Sequence, residues 1–210
     1  MGILTVARAN TVQSNGLDVS GTGLLSIQQQ ATLAQQIRQA TQDLELLLAG
    51  RKNTELLTRL EPDLWSVAEC LDHLTQTTRT FLPAIERAIA AAPKLKIDRR
   101  LRTGILPSLF IRHLNPPYRI RLKVLPQLAP GRADAGALAN FMESQSQLLT
   151  ILSSTAGLAI DKVRIKSPVY GRIRYNIYGA LRMLAAHQRR HIWQISQILA
   201  ALDRQLKLVT

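Results

Sequence analysis

Ile177-Tyr178-Gly179-Ala180-Leu181-Arg182-Met183-Leu184-Ala185-Ala186-His187-Gln188-Arg189-Arg190-His191-Ile192-Trp193-Gln194-Ile195 is the stretch on which the fold turns. Within it and just beyond, Ile177, Leu181, Leu184, Gln188, His191, Ile195, Ile198 and Leu202 recur at alternating steps of four and three. That spacing keeps one face of an α-helix apolar, so a helix is predicted from about Asn176 to Leu206. Two histidines stand on that inward stripe, which Ala180, Leu184, His187, His191 and Ile195 trace. His187 and His191 are four residues apart, so their rings lie one above the other.

Working back along the chain, three more helices are expected. Ala137–Ser153 carries Leu138, Phe141, Gln145, Leu148 and Leu152 on one stripe. Ser66 followed by Glu69 fits a capping box, each side chain satisfying a backbone N–H at a helix start. From there Leu71, Leu74, Phe81, Ile85 and Ile89 lead to the alanines before Pro93, with Pro83 inside the helix as a kink site. A first helix from Ser26, through Ile27, Ala34, Ile37, Thr41, Leu44 and Leu48, stops near Gly50. No strand alternation is convincing. Four long helices predict an all-α four-helix bundle over residues 25–207. Residues 1–24, with Arg8 and Asp18 as their only charges and no apolar period, are expected to be a disordered N-terminal tail.

Between helices 2 and 3 runs a long, Pro-rich, basic connection, residues 93–136. Pro93, Pro107, Pro116, Pro117, Pro126 and Pro130 exclude one continuous helix there. A connection of this length in a compact domain is usually functional or holds small elements of its own. Between 94 and 123 stand nine Lys or Arg and one acid, Asp98, a net +8.

The whole chain of 210 residues carries a net charge of +13, with 46% hydrophobic and 4% aromatic residues. One cysteine, Cys70, excludes a disulfide scaffold and a Cys-rich zinc module, and suits a reducing compartment. No apolar run reaches the length needed to cross a bilayer, so no transmembrane segment is expected. The opening Met1-Gly2-Ile3-Leu4-Thr5-Val6 lacks the basic and apolar regions of a secretory signal. The expectation is a cytoplasmic protein.

Spacing and face alone leave His187 and His191 open to two readings, a metal pair or core histidines whose nitrogens find other partners. On the second helix, Ser66, Cys70, His73, Thr77, Ala84 and Ala88 form a stripe of small or polar residues. Such a stripe leaves a cavity beside the His73 imidazole, or else permits close helix packing.

The motif Trp65-Ser66-Val67-Ala68-Glu69-Cys70-Leu71-Asp72-His73-Leu74 resembles the start of the second helix in the DinB/YfiT-like superfamily. Leu184 to Ile195, with its H-x-x-x-H and following Gln-Ile, is similar to that family's closing helix, and Ser167-Pro168-Val169-Tyr170-Gly171 to the run into it. The resemblance implies a DinB-like bundle holding a divalent metal on His73, His187 and His191. His113, in the basic connection, matches nothing in the motif and is read as a solvated loop histidine. Three imidazoles suit Zn, Ni, Fe or Mn and leave coordination positions open. Family members with known activity include transferases and isomerases that use low-molecular-weight thiols.

The resulting expectation is a metal-dependent enzyme, a thiol-dependent transferase or a hydrolase, acting on a small, anionic or thiol-bearing substrate, with homodimer formation open. The basic segment would line or cover the mouth of its site. No catalytic base stands out: Gln188, Arg189 and Arg190 separate the paired histidines, Glu69 serves the cap, and Asp72 points elsewhere on its helix. Cys70 is read as a small buried residue ahead of a fourth ligand or reactive thiol. The alternative is a non-catalytic basic module for nucleic acid or an anionic membrane surface. Few aromatics and no recognised motif weigh against nucleic acid. A regulatory bundle that keeps only a structural ion is the third reading.

Overall fold

A computed structural model describes residues 25–115, 124–131 and 134–209. The expected tail, residues 1–24, lies outside them, as do Pro116, Pro117, Arg119, Arg121 and Lys123 of the connection. Among the described residues the chain folds as α1 (Leu25–Leu48), α2 (Asn53–Leu57), α3 (Val67–Ile89), α4 (Ile105–Leu114), a 3-10 turn (Pro126–Leu128), α5 (Ala137–Ser153), β1 (Arg164–Lys166), β2 (Arg174–Asn176) and α6 (Ile177–Val209).

The four long helices close on one another in a ring. α1 packs on α6, α6 on α3, α3 on α5, and α5 back on α1. This is the expected four-helix bundle. The capping box opens α3: Ser66 Oγ accepts from Glu69 N–H, and Glu69 Oε2 accepts from Ser66 N–H at 2.8 Å. Arg59 also pairs with the Glu69 carboxylate. Pro83 lies inside α3, which continues past it to Ile89. Gly50 adopts a φ of 75°, the left-handed conformation that lets the chain leave α1.

The structure departs from the sequence expectation at three places. The buried stripe of α1 passes through Ser26, Gln30 and Leu33, while Ile27 is 42% exposed. The polar pair is accommodated because Ser26 Oγ donates to Asp98 and Gln30 Nε2 donates to the Thr155 carbonyl at 3.2 Å. Secondly, the linker after α5 contains an antiparallel hairpin, with Ile165 opposite Tyr175. Its strands are three residues each, too short for alternation to register in the sequence. Thirdly, the connection carries α4. Pro107 falls in its first turn, where an N–H has no helical acceptor in any case. His113 is therefore helix-borne rather than in a loop, although it is exposed as expected.

The buried apolar residues form two main clusters along the bundle. One gathers Ile37, Phe81, Ile85, Leu148 and Leu181; the other gathers Leu44, Leu71, Phe141, Ile195 and Leu199. Between them every long helix contributes polar side chains. Thr77 and Thr78 come from α3, Ser144 and Gln145 from α5, and Gln188 and His191 from α6, all buried. Gln188 Nε2 reaches across to Thr41 Oγ1 on α1 at 3.1 Å. A polar belt thus crosses the middle of the bundle, and the histidines belong to it.

Candidate metal centre

His73 projects from α3, two turns after the capping box, and His187 and His191 project from adjacent turns of α6. Those two helices pack together, which brings the three rings into one place. His73 Nε2 lies 3.2 Å from His187 Nε2, and His191 Nε2 lies 3.1 Å from the same atom. Among the described residues, one group of three His, Cys, Asp or Glu side chains brings its ligand atoms within 4.8 Å of one another, and it is this one.

The protons on these rings can be followed. His73 Nδ1 stands 2.6 Å from the Leu128 carbonyl oxygen, which can only accept, so Nδ1 carries the proton. In the neutral ring that leaves His73 Nε2 as a bare lone pair. His187 Nε2 touches both other Nε2 atoms, and one proton can serve only one of the two contacts well. Protonating a second nitrogen on any ring would help, but burial opposes it. Burial pushes His73 below the usual histidine range, His187 down to about 3, and His191 well down. For His187 and His191 the neighbouring imidazoles add to the effect. Contacts among the three neutral rings alone therefore do not satisfy all three nitrogens. A shared cation does. Nitrogens bound to one tetrahedral or octahedral ion at 2.0–2.1 Å lie about 2.8–3.4 Å apart, a window that holds both observed contacts. The donor set thus fits a divalent ion.

The surroundings hold the rings in this pose. Trp65, just before the capping box, packs its ring 5.0 Å from that of His73 and 6.1 Å, stacked, from that of His191. Thr77 Oγ1 donates to the His73 carbonyl. The basic connection is anchored beside the site twice, through Leu128 on His73 and through Gly131 N–H, which donates to Asp72 Oδ2 at 2.9 Å. Asp72, excluded as a base from sequence, thus has a structural post on the helix surface. His191 Nδ1 has no partner of hydrogen-bonding geometry, although Gln194 on the same helix acts on this imidazole.

Cys70 is fully buried in the apolar cluster beside Leu71 and Phe141, and burial pushes its thiol up to about 12. It does not belong to the three-histidine group, and its burial matches the expected small core residue. His113 stays on the exposed side of α4, away from the three-histidine group.

The imidazoles open into a cavity of about 790 Å3. Beside them its wall includes Thr77, as the small-residue stripe of α3 leads one to expect. The connection contributes Leu106, Pro107, Phe110, Val124, Leu125 and Leu128. None of its described basic residues lines the cavity, and the residues it is seen to contribute are apolar; Arg119, Arg121 and Lys123 lie outside the described residues. Arg99 instead pairs with Asp161, at 2.7 and 2.8 Å. Among the described residues, the lining charges are Arg190 and Asp63.

The fold and site together define an all-α bundle with a convergent three-histidine centre in the wall of a cavity. The family model of the DinB superfamily matches residues 36–195, and the chain belongs to that superfamily. No curated protein and no solved structure matches it. Among the described residues, no helix is long and apolar enough to cross a membrane.

Proposed function

We propose that His73, His187 and His191 hold a divalent metal ion, drawn from Zn, Ni, Fe and Mn, and that the protein is a metal-dependent enzyme acting on a small molecule in the adjoining cavity. The observation that carries this reading is the approach of three Nε2 atoms whose contacts with one another do not satisfy all three. Bound there, the ion supplies Lewis acidity to an oxygen or sulfur of a reactant.

The chain's own groups have separable tasks. The Leu128 carbonyl fixes the tautomer of His73 and so aims its Nε2. Trp65 shields two of the rings from water. Arg190, whose guanidinium donates to the His113 carbonyl at 3.0 Å, places positive charge at the cavity wall. Asp63 is the one carboxylate in that wall among the described residues. The reaction class is that of a thiol-dependent transferase or a hydrolase; among the described residues no carboxylate joins the three imidazoles.

Metal analysis of untagged protein after incubation with Zn or Ni tests the reading. The expected result is one ion per chain and a raised melting temperature, both lost in His73→Ala. Sub-stoichiometric metal with no thermal shift would sink it. Metal loss in His73→Ala without any change in ligand response would leave only a structural ion.

A further inference from the structure

The wall of the cavity is chemically unlike the rest of the chain. Of two Trp, four Tyr and three Phe in the sequence, the residues Trp65, Phe81, Phe110, Tyr170, Tyr175 and Trp193 all face this one space. They come from the segment before α3, from α3 itself, from α4, from the hairpin and from α6. Five separate pieces of chain thus converge their rings on one volume. Phe81 and Tyr175 already stack on each other, their centroids 6.3 Å apart and their planes 9° from parallel. Packing alone does not require this. Phe81 and Tyr175 also belong to the first apolar cluster, but Trp65, Phe110, Tyr170 and Trp193 are not among the buried residues of either cluster, and a protein interior does not ordinarily leave several hundred cubic ångströms unfilled.

Three of these rings, Phe110, Tyr170 and Trp193, are also 40%, 47% and 43% exposed. The aromatic surface therefore runs from the interior out to the rim, giving an apolar way in. Among the described residues, the charged side chains of the wall are Asp63 and Arg190, whose guanidinium donates to the His113 carbonyl at 3.0 Å. A compact polyanion would find one cation here and much surface it cannot solvate. A flat apolar body would find aromatic rings along the wall to pack against.

We propose that the cavity takes a ring-bearing, predominantly apolar small molecule, oriented so that a single metal-binding oxygen or sulfur meets the imidazole end. The orientation rests on the metal reading above; the preference for rings does not, because it follows from the wall.

A hydroxamate series with a constant head tests this on zinc-loaded protein. Both tryptophans line the cavity, so binding is read from their emission. Naphthalene-2-hydroxamate should bind about a hundredfold more tightly than acetohydroxamate, from burial of its ring surface. Phe110→Ala should weaken the naphthyl compound about tenfold while leaving acetohydroxamate affinity and zinc content unchanged. Phe110→Leu, which keeps apolar bulk but removes the ring, should recover only part of that loss. Equal affinities for the two hydroxamates, or full recovery in Phe110→Leu, would overturn the proposal. In parallel, 2-naphthol, which lacks the chelating head, is titrated into metal-free protein. Phe110-dependent binding there, with no zinc taken up, would retire the metal reading and keep the aromatic cavity. Zinc at one per chain with no naphthyl preference would do the reverse.

Discussion

His73 Nδ1 and the carbonyl oxygen of Leu128 stand 2.6 Å apart, which fastens a ring of α3 to a 3-10 turn fifty-five residues further along the chain. The contact fixes where the proton of that imidazole resides. It also means that the connection is part of the histidine centre even though none of its described residues joins the three imidazoles.

Loosening this turn should therefore loosen the metal. Pro126 opens the 3-10 turn with its φ already set, and Pro126→Gly removes that constraint while touching no imidazole. Zinc affinity, measured by competition with a chelator, should fall about tenfold, the lower end of what outer-shell partners contribute. An unchanged affinity would show that His73 orients without help.

Gly179, near the start of α6, marks where the connection presses on the bundle. A Cβ there would stand 2.6 Å from the Thr103 carbonyl oxygen and 2.8 Å from Pro107 Cγ. Backbone cannot yield as a flexible side chain would. Gly179→Ala should cost about 1–3 kcal/mol in urea unfolding and should hasten proteolysis between Thr103 and Pro107 as that segment lifts.

Ser66→Ala tests the cap. Its hydroxyl satisfies the Glu69 N–H, and the residue is buried. A loss of about 1 kcal/mol in urea-unfolding free energy is expected. Glu69 should keep its Arg59 partner, and the loss should stay well short of that from an unpaired buried carboxylate.

The metal-free protein should be acid-sensitive before its carboxylates titrate. His187 has a folded value of about 3 against an ordinary 6.5. Between those values the unfolded chain binds a proton that the folded chain refuses, so stability rises with pH through the window and is complete above it. Urea midpoints of metal-free protein should fall as pH drops from about 6.5 to about 5. His187→Gln should flatten that slope.

Helix existence and limits were largely legible. Ala137–Ser153 is predicted and observed with the same ends, and the capping box marks the start of α3 because its two reciprocal bonds are local. What escaped depends on distant partners. Ser26 and Gln30 look like solvent-facing residues until Asp98 and Thr155 supply acceptors from other segments. α4 hides behind prolines whose position within the first turn makes one of them harmless. At the site, the i, i+4 spacing of His187 and His191 shows in the sequence, and family resemblance points to His73. The aromatic wall does not show, because its six rings are scattered from Trp65 to Trp193 and carry no common period.

The polar belt has a mechanical consequence. The two greasy ends of the bundle are separated by a storey of hydroxyls, amides and imidazoles, whose burial contributes less to cohesion than Leu or Ile would in the same places. On the proposed reading, an ion held by His73, His187 and His191 would tie α3 to α6 across that storey, so metal-loaded protein should exchange the amides of its middle turns more slowly than metal-free protein.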